Sequence, residues 1–542
     1  MIQSYKKKYN IEDHYDVIMI GSGIGCLSAA AILSKEGKKV LVLERHYTAG
    51  GFTHVFKRRG YEWDVGIHYI GEVQRKNSAI RLLFDYITNS NLKWADMGPV
   101  YDRIIIGKKK YDFVKGVKNF KNKLVEYFPD EESSIKNYIN LIFSSNKATS
   151  KFYMSKVLPN FIDMIVGRFM RKDYLKYSNQ TTYEVLSKIT KNDELLKVLT
   201  AQYGDYGLPP KQSSFAMHAS VVKHYFDGGS FPVGGSSRIL DTIDPVIENS
   251  SGTILVNAEV EEVIVKNNTA TGVIMNDGKE FYAKTIISGT GVFNTYEKLI
   301  PEKVNQQHKL DSKLNKIKPS VSHGCLYIGL NGSPEDLNLP KNNLWVYPDK
   351  GSHDQCVDDY LNDIDAPFPL VYISFPSSKD PSWNKRYPGK STIDVITLLP
   401  YKVFSQWEGT RWMNRGGEYN NLKEKIAQRL LDCLFLQLPN LKDKVDHYEL
   451  SSPLTTQNFV NYKKGELYGI DHDPGRFKNL LFNFKSFNQT FLKPKTQIKN
   501  FFLTGQDIVT AGVGGALFSG LLTASAVTGK NIINRIKRSS KS

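Results

Sequence analysis

The first apolar run, DVIMI at residues 16–20, is short and unbroken, the pattern of a strand buried on both faces. It runs straight into Gly21-Ser22-Gly23-Ile24-Gly25-Cys26. A small-residue stretch of helical character follows, LSAAAILSKEG, with Gly37 as its stop. A second apolar run, residues 40–43, ends in Glu44. The order predicts a strand–helix–strand unit with a glycine turn at its first junction. Four further strand patterns come much later, at 252–256, 260–265, 270–275 and 285–288. The longest uncharged run, 508–529, is diluted by five glycines and several Ser and Thr. Membrane spans are predominantly apolar, so a buried helix is expected here rather than a crossing. Residues 151–177, KFYMSKVLPNFIDMIVGRFMRKDYLKY, mix Phe, Met, Ile and Leu with Lys and Arg. That pattern suits a basic amphipathic helix lying among lipid headgroups, or equally a cap helix with one solvated face.

The glycine turn has a chemical reading. Gly21 permits the tight turn, and Gly23 lets backbone approach a pyrophosphate. The helix N-terminus then offers free N–H groups and partial positive charge to that anion. Glu44, closing the second strand, can accept ribose hydroxyl protons and disfavours a phosphorylated ribose. The third glycine position of the fingerprint holds Cys26, small enough to keep helix and strand close. Glu44-Arg45 is followed by the pair Gly50-Gly51, an open turn whose N–H groups could line further phosphate and ribityl. These features predict FAD, with Gly21, Gly23, Gly25, Glu44, Arg45, Gly50 and Gly51 at the site. A plain surface turn is the other reading of the glycine pair. Ser288-Gly-Thr-Gly291 also follows a strand, but without a fingerprint around it. A second nicotinamide domain is therefore not expected, and NAD(P)H would bind only transiently.

Composition narrows the class. At 542 residues the chain exceeds one ordinary domain. Its 28 Phe, 30 Tyr and 6 Trp suit an apolar pocket, though rings also fill cores. A net charge of +17 draws it toward anionic surfaces. No clustered Arg stripe or nucleic-acid motif accompanies that charge, so lipid is preferred to nucleic acid. The four cysteines lack CxxC spacing and no HExxH occurs, so neither a disulfide framework nor a metal is expected. The N-terminus has no apolar h-region. The expectation is a cytoplasmic, peripherally membrane-associated protein without a signal peptide or transmembrane helix.

ERHYTAGGFTHVFKRRGYEWDVGIHYIG (44–71) resembles the FAD-binding start of the phytoene desaturase and carotenoid isomerase superfamily. Within it, the chain looks most like the retinol saturase (all-trans-retinol 13,14-reductase) family. The segments at 213–237, 291–301, 378–392, 452–477 and 501–526 carry the likeness almost end to end. The resemblance implies an α/β fold: a Rossmann-type FAD-binding domain with an interleaved α+β substrate domain and a helical cap. It places the FAD domain at 14–80, 226–300 and 495–535, and the substrate domain at 81–225 and 301–494. It implies flavin redox chemistry on the double bonds of an apolar polyene or isoprenoid lipid, in a direction and with an electron partner left open. An amine-oxidase-like or protoporphyrinogen-oxidase-like flavoenzyme, or a non-catalytic flavin or polyene carrier, are the alternatives.

By the family pattern Gly505 and Asp507 would meet the ribityl or pyrophosphate side, Asp507 through its carboxylate. A helix beginning near Gly514-Gly515-Ala516 would aim its N-terminus at the flavin, and backbone at Val260 would meet the adenine. Saturating a double bond needs a proton besides a hydride, and His68 or Tyr69 could supply it. His218 and His224 form a second candidate set, six residues apart and so on different helical faces. Each of these histidines is equally read as a hydrogen-bonded structural residue.

Overall fold

A computed structural model describes residues 2–6, 11–158, 162–481 and 492–539. Alternation within the strand His14–Ile20 builds the first layer. Val17 and Met19 face one side of an eight-stranded sheet, and Ile18 and Ile20 face the other. The parallel core of that sheet runs Ile2–Ser4, Thr253–Val256, Val40–Leu43, His14–Ile20, Glu280–Ser288. The long strand Glu280–Ser288 is shared. Its first half continues an antiparallel meander, Val260–Lys266 and Thr269–Met275, and its second half pairs with Phe501–Leu503. The strand Ile2–Ser4 lies outside the boundaries expected from the sequence.

Three helices cover one face: Ile24–Lys35, Arg238–Glu248 and Gly512–Thr528. The first and third touch almost backbone to backbone. A Cβ on Gly520 would sit 2.5 Å from the Gly25 carbonyl, and Ser28 Oγ donates to Leu517 O at 3.1 Å. That contact explains the small residues in the uncharged run: its helix is buried against another helix. Among the described residues no single helix is long and apolar enough to cross a membrane.

A seven-stranded sheet forms the second layer. Its order is Val445–Leu450, His323–Asn331, Lys390–Leu398, Val371–Ser374, Asn343–Tyr347, Val100–Ile106, Lys109–Val114. The helix Gly417–Gln437 packs on one face through Leu430 and Leu434. The other face meets Glu132–Ser155 and Phe215–Tyr225 in an aromatic core with Tyr101, Trp345 and Tyr372. A three-stranded sheet of Ile70–Gly71, Gly229–Pro232 and Trp94–Asp96 lies between. The hairpin Val55–Arg58/Tyr61–Asp64 departs from its expected domain. Trp63 Nε1 donates to Ile328 O at 3.1 Å, fastening it to the second sheet.

The basic stretch at 151–177 is not one helix. It comprises the end of Glu132–Ser155, a wide turn Asp163–Gly167 and the helix Arg168–Ser178. Residues 159–161 and the side chain of Arg168 lie outside the described residues. Lys156 is not a headgroup-facing cation: its ammonium turns inward to the carbonyls of Leu492 and Ile508.

Candidate functional site

A cavity of about 650 Å³ opens at the glycine turn. Gly21, with φ +94°, carries the chain from strand to helix in a conformation costly for other residues. A Cβ on Gly25 would stand 2.9 Å from Gly505 N and 3.1 Å from Ala516 O, so three segments converge there. A Cβ on Gly23, by contrast, would meet nothing within 4 Å. The helix N-terminus therefore presents bare backbone to open space, which is what a diphosphate requires. Cys26 points away, with Sγ 3.6 Å from Ile20 O, and fills the space left by Gly289.

Glu44 is anchored before any ligand arrives. Oε2 accepts from Ser22 N at 2.9 Å and Ser22 Oγ at 2.6 Å; Oε1 accepts from His46 N at 2.8 Å. Oε1, with one donor, keeps the freer lone pair for a ribose hydroxyl. Ser22 Oγ accepts in turn from Gly50 N at 2.9 Å, tying the glycine pair to the first turn. Of the residues expected at the cofactor, Gly21, Gly23, Gly25, Glu44, Arg45, Gly51, Val260, Gly505 and Ala516 line this cleft. Gly50 supports it from behind.

Asp507 needs correcting. Its Oδ2 accepts from Val292 N at 2.8 Å and its Oδ1 from Ile470 N at 3.0 Å. Both oxygens pin loops together, and Asp507 does not line the cleft. The small-residue helix also begins two residues earlier than expected, at Gly512. Gly514 and Gly515 line a neighbouring cavity that meets the cleft at this helix's N-terminus.

That second cavity measures about 900 Å³, and apolar atoms dominate its wall. The two cavities share Gly66, Leu467, Tyr468, Gly512 and Val513, so they meet at the N-terminus of the helix Gly512–Thr528. A planar ring reaching from the cleft would arrive beside that positive helix end.

His68, Tyr69 and His224 line the second cavity; His218 does not. The helix Phe215–Tyr225 turns Met217, Ser220, Val221 and His224 toward the cavity. His218 points the other way, between Tyr138 Oη at 2.9 Å and Tyr206 Oη at 3.1 Å. Burial holds its ring down to about 3, so it is a neutral hydrogen-bonding core residue, not a proton donor to the cavity. His224 Nε2 accepts from Gly71 N at 2.8 Å, which fixes the strand Ile70–Gly71.

His68 is largely but not fully buried, with Nδ1 3.3 Å from Asp394 Oδ2. Burial, helped by the nearby Lys379 ammonium, lowers its ring to about 3, and burial raises Asp394 well above the carboxylate range. A neutral imidazole is a weak acid, and burial, by disfavouring the charged ring, works against the proton donation expected of His68. Tyr69 stacks on Tyr225 at 4.2 Å, and its hydroxyl lies 2.9 Å from Asp102 Oδ2. Burial raises that phenol well above 10 and keeps it protonated.

The hub beside this pair was not anticipated. Lys379, almost fully buried, donates to His68 O at 2.9 Å, Ser374 Oγ at 2.7 Å and Asn343 Oδ1. Burial brings it down to about 7, against the pull of Asp102, Asp394 and Asp64. Spacing does not bring Lys379, Asp102 and Asp394 together: Asp102 and Asp394 lie on separate strands of the second sheet and Lys379 on the short helix Pro376–Lys379.

The comparisons agree with this geometry. The family model for flavin containing amine oxidoreductases matches residues 25–313. An all-trans-retinol 13,14-reductase of Danio rerio is 34% identical over 96% of this chain and 87% of its own length. The chain belongs to the all-trans-retinol 13,14-reductase family. An inactive all-trans-retinol 13,14-reductase of Danio rerio is similar too, 33% identical over 97% of this chain and 88% of its own. A prolycopene isomerase of an Oncidium hybrid cultivar is 27% identical over 84% of this chain and 75% of its own. Among solved structures, an oxidoreductase from Methanosarcina mazei superposes with a TM-score of 0.62 at 15% identity, covering 95% of this chain and all of that one. This last likeness establishes the fold. The family is flavin-containing, and the chain is an FAD-dependent oxidoreductase. The open helix end at Gly23, the anchored Glu44 and the three-way backbone contact at Gly25 fit FAD.

Proposed function

We propose that this chain reduces a carbon–carbon double bond of a polyene or isoprenoid lipid, retinol-like in class. The single observation carrying the reading is the apolar cavity of about 900 Å³ that joins the cofactor cleft at Tyr468 and Gly512. When bound, FAD would supply hydride chemistry at that junction. Gly23, Gly25 and Gly505 would hold its diphosphate side, Glu44 its ribose, and Val260 would lie at the adenine. The wall then excludes water and holds an extended apolar chain against the junction. His68 and Lys379 brace the wall, with Tyr69 and His224 along it.

Access would come from a lipid surface. Phe143 and Met154 line the cavity and are also exposed outside it. Ile162, Ile165, Val166 and Phe169 are exposed on the adjoining segment. An apolar patch beside an apolar entrance suits peripheral docking. Electrons would come from a transient donor, with NAD(P)H the first to try.

The test is anaerobic. The absorbance spectrum of the purified protein is recorded, then NADPH, NADH and dithionite are added in turn, followed by all-trans-retinol. The expected outcome is a bleached flavin, reoxidation on adding retinol, and a product heavier by two hydrogens. A product of unchanged mass would point to isomerisation instead. A protein that takes up no FAD would overturn the reading altogether.

A further inference from the structure

We propose that Asp205 is a catalytic residue of this site: the carboxylic acid that delivers the proton to the substrate carbon next to the one receiving hydride. The proposal rests on the polyene-reduction reading above.

Asp205 lies on the wall of the apolar cavity, next to Gly204. Gly204 O accepts from Tyr468 Oη at 2.8 Å, and Tyr468 belongs to both cavities. The Asp205 carboxyl is therefore close to the junction where a flavin ring and a lipid would meet. Its only hydrogen bond among the described residues involves the Tyr69 hydroxyl, 3.3 Å from Oδ2. That same hydroxyl is 2.9 Å from Asp102 Oδ2.

Counting protons separates the two carboxyls. One phenol carries one proton and cannot donate to two carboxylates. Asp102 is the better-served anion. Its Oδ2 also accepts from Gln202 Nε2 at 2.9 Å and its Oδ1 from Asn343 Nδ2 at 2.9 Å, and Asn343 binds the Lys379 ammonium. The Tyr69 proton accordingly belongs to Asp102. Asp205 then keeps its own proton and gives it to the Tyr69 oxygen at rest. Two carboxyls sharing one small site divide their protons in this way. Burial first, then the charge of Asp102, raises Asp205 well above the ordinary carboxylate range. The other titratable groups coupled to it are Tyr206, Tyr225, Tyr347, Tyr372 and Tyr468, all raised by burial and therefore neutral.

The wall thus holds one neutral carboxylic acid in a space lined mostly by apolar atoms. Adding two hydrogens across a double bond takes a hydride at one carbon, the flavin's contribution, and a proton at the other. The Asp205 O–H bond breaks with its electrons left on the carboxylate, and a C–H bond forms at the second carbon. Once product leaves and solvent re-enters the cavity, a solvent proton restores the Asp205 carboxylic acid. Tyr69 is a positioning residue in this scheme, acting through Asp205.

Asp205→Asn keeps shape and removes the acid. In wild-type-minus-variant infrared spectra of the flavin-loaded protein at neutral pH, this substitution should remove one neutral-acid C=O stretch, while that of Asp394, which burial also holds neutral, remains in both proteins. Asp102→Asn, which removes the ionised partner, should keep the Asp205 stretch. With all-trans-retinol and dithionite, Asp205→Asn should retain FAD stoichiometry and retinol binding within about threefold, while turnover falls by about 10²–10⁴, the range of general acid catalysis. An unchanged set of neutral-acid bands in Asp205→Asn, or turnover at the wild-type rate, would overturn the proposal. A wild type that reduces no polyene overturns the substrate reading and this role with it. The infrared band would even then report separately whether Asp205 is the neutral acid.

Discussion

The cofactor cleft is shaped by backbone, and the adjoining cavity by side chains. In the cleft, Gly21, Gly23, Gly25 and Gly505 matter for the atoms they lack. In the cavity, Tyr69, Asp205, Tyr225, Tyr372 and Tyr468 matter for the atoms they bring, and they come from separate stretches of chain. The comparison teaches how one fold can keep a cofactor and vary a substrate. A glycine cradle admits almost no substitution, while a wall of large side chains can be recut residue by residue.

Substitutions at two glycines should break the cleft in different ways. Gly25→Val forces a side chain into Gly505 and Ala516 backbone, which cannot swing aside. We expect a loss of about 3 kcal/mol or more in stability, at the upper end of overpacking costs. Gly23→Ala points into open space. The flavin-free protein should melt at the wild-type temperature, while flavin retention falls at least about tenfold, because the added methyl stands where phosphate belongs. Thermal melts with and without FAD measure both. Equal melting losses in the two variants would erase the distinction between packing glycine and cradle glycine.

Glu44→Ala comes next. It strands Ser22 N, Ser22 Oγ and His46 N as well as the ribose. An unmet buried donor costs about 1–3 kcal/mol, so FAD should bind roughly ten- to hundredfold more weakly in calorimetric titration. Affinity unchanged from wild type would remove Glu44 from the ribose.

The same contrast explains what was legible in the sequence. The strand, the turn, the helix and Glu44 lie within thirty-odd consecutive residues, and local spacing carries the chemistry. The strands of the meander were legible for the same reason, since alternation is a local signal. Asp507 misled because a buried acid next to a glycine turn serves equally as a ligand contact or as a loop pin. Which it is depends on Val292 and Ile470, far away in the chain. The Lys379 hub and the pair Asp102–Asp205 were illegible because a strand and two short helical turns from separate stretches of chain meet only in the folded molecule. His218 was ambiguous until the helix Phe215–Tyr225 acquired a direction.

His218→Phe sharpens that last point. Two tyrosine hydroxyls lose their partner, so stability should fall by about 1–3 kcal/mol near neutral pH. Turnover per folded molecule should hold. The pH dependence has a definite sign. The folded ring stays neutral down to about 3, while the unfolded ring takes a proton below about 6.5. Acid therefore favours the unfolded wild type. The wild-type advantage should shrink by about 1.4 kcal/mol per pH unit as pH falls below about 6.5. Denaturant melts of both proteins from pH 7 to pH 4 check it. A constant difference would mean that the folded ring titrates normally.

The smallest effect belongs to the exposed apolar residues on the segment that follows the cavity-lining Met154. Phe169 is 73% exposed and Ile165 51% exposed. Neither stabilises the fold by burial, so replacing either should leave the melting temperature near wild type. On a bilayer each would instead bury part of its apolar area, worth on the order of 1 kcal/mol for partial insertion. Phe169→Asp and Ile165→Asn should therefore each weaken co-sedimentation with phosphatidylcholine–phosphatidylserine vesicles several-fold, and do so at high salt as well as low. Neutralising Lys151 should act only at low salt, because charge attraction to headgroups is screened beyond a Debye length. Binding that ignores the apolar pair but follows salt would make the patch a bystander to a purely electrostatic contact. Binding that follows the apolar pair would extend the comparison outward: backbone holds the cofactor, and side chains, from junction to rim, choose and admit the lipid.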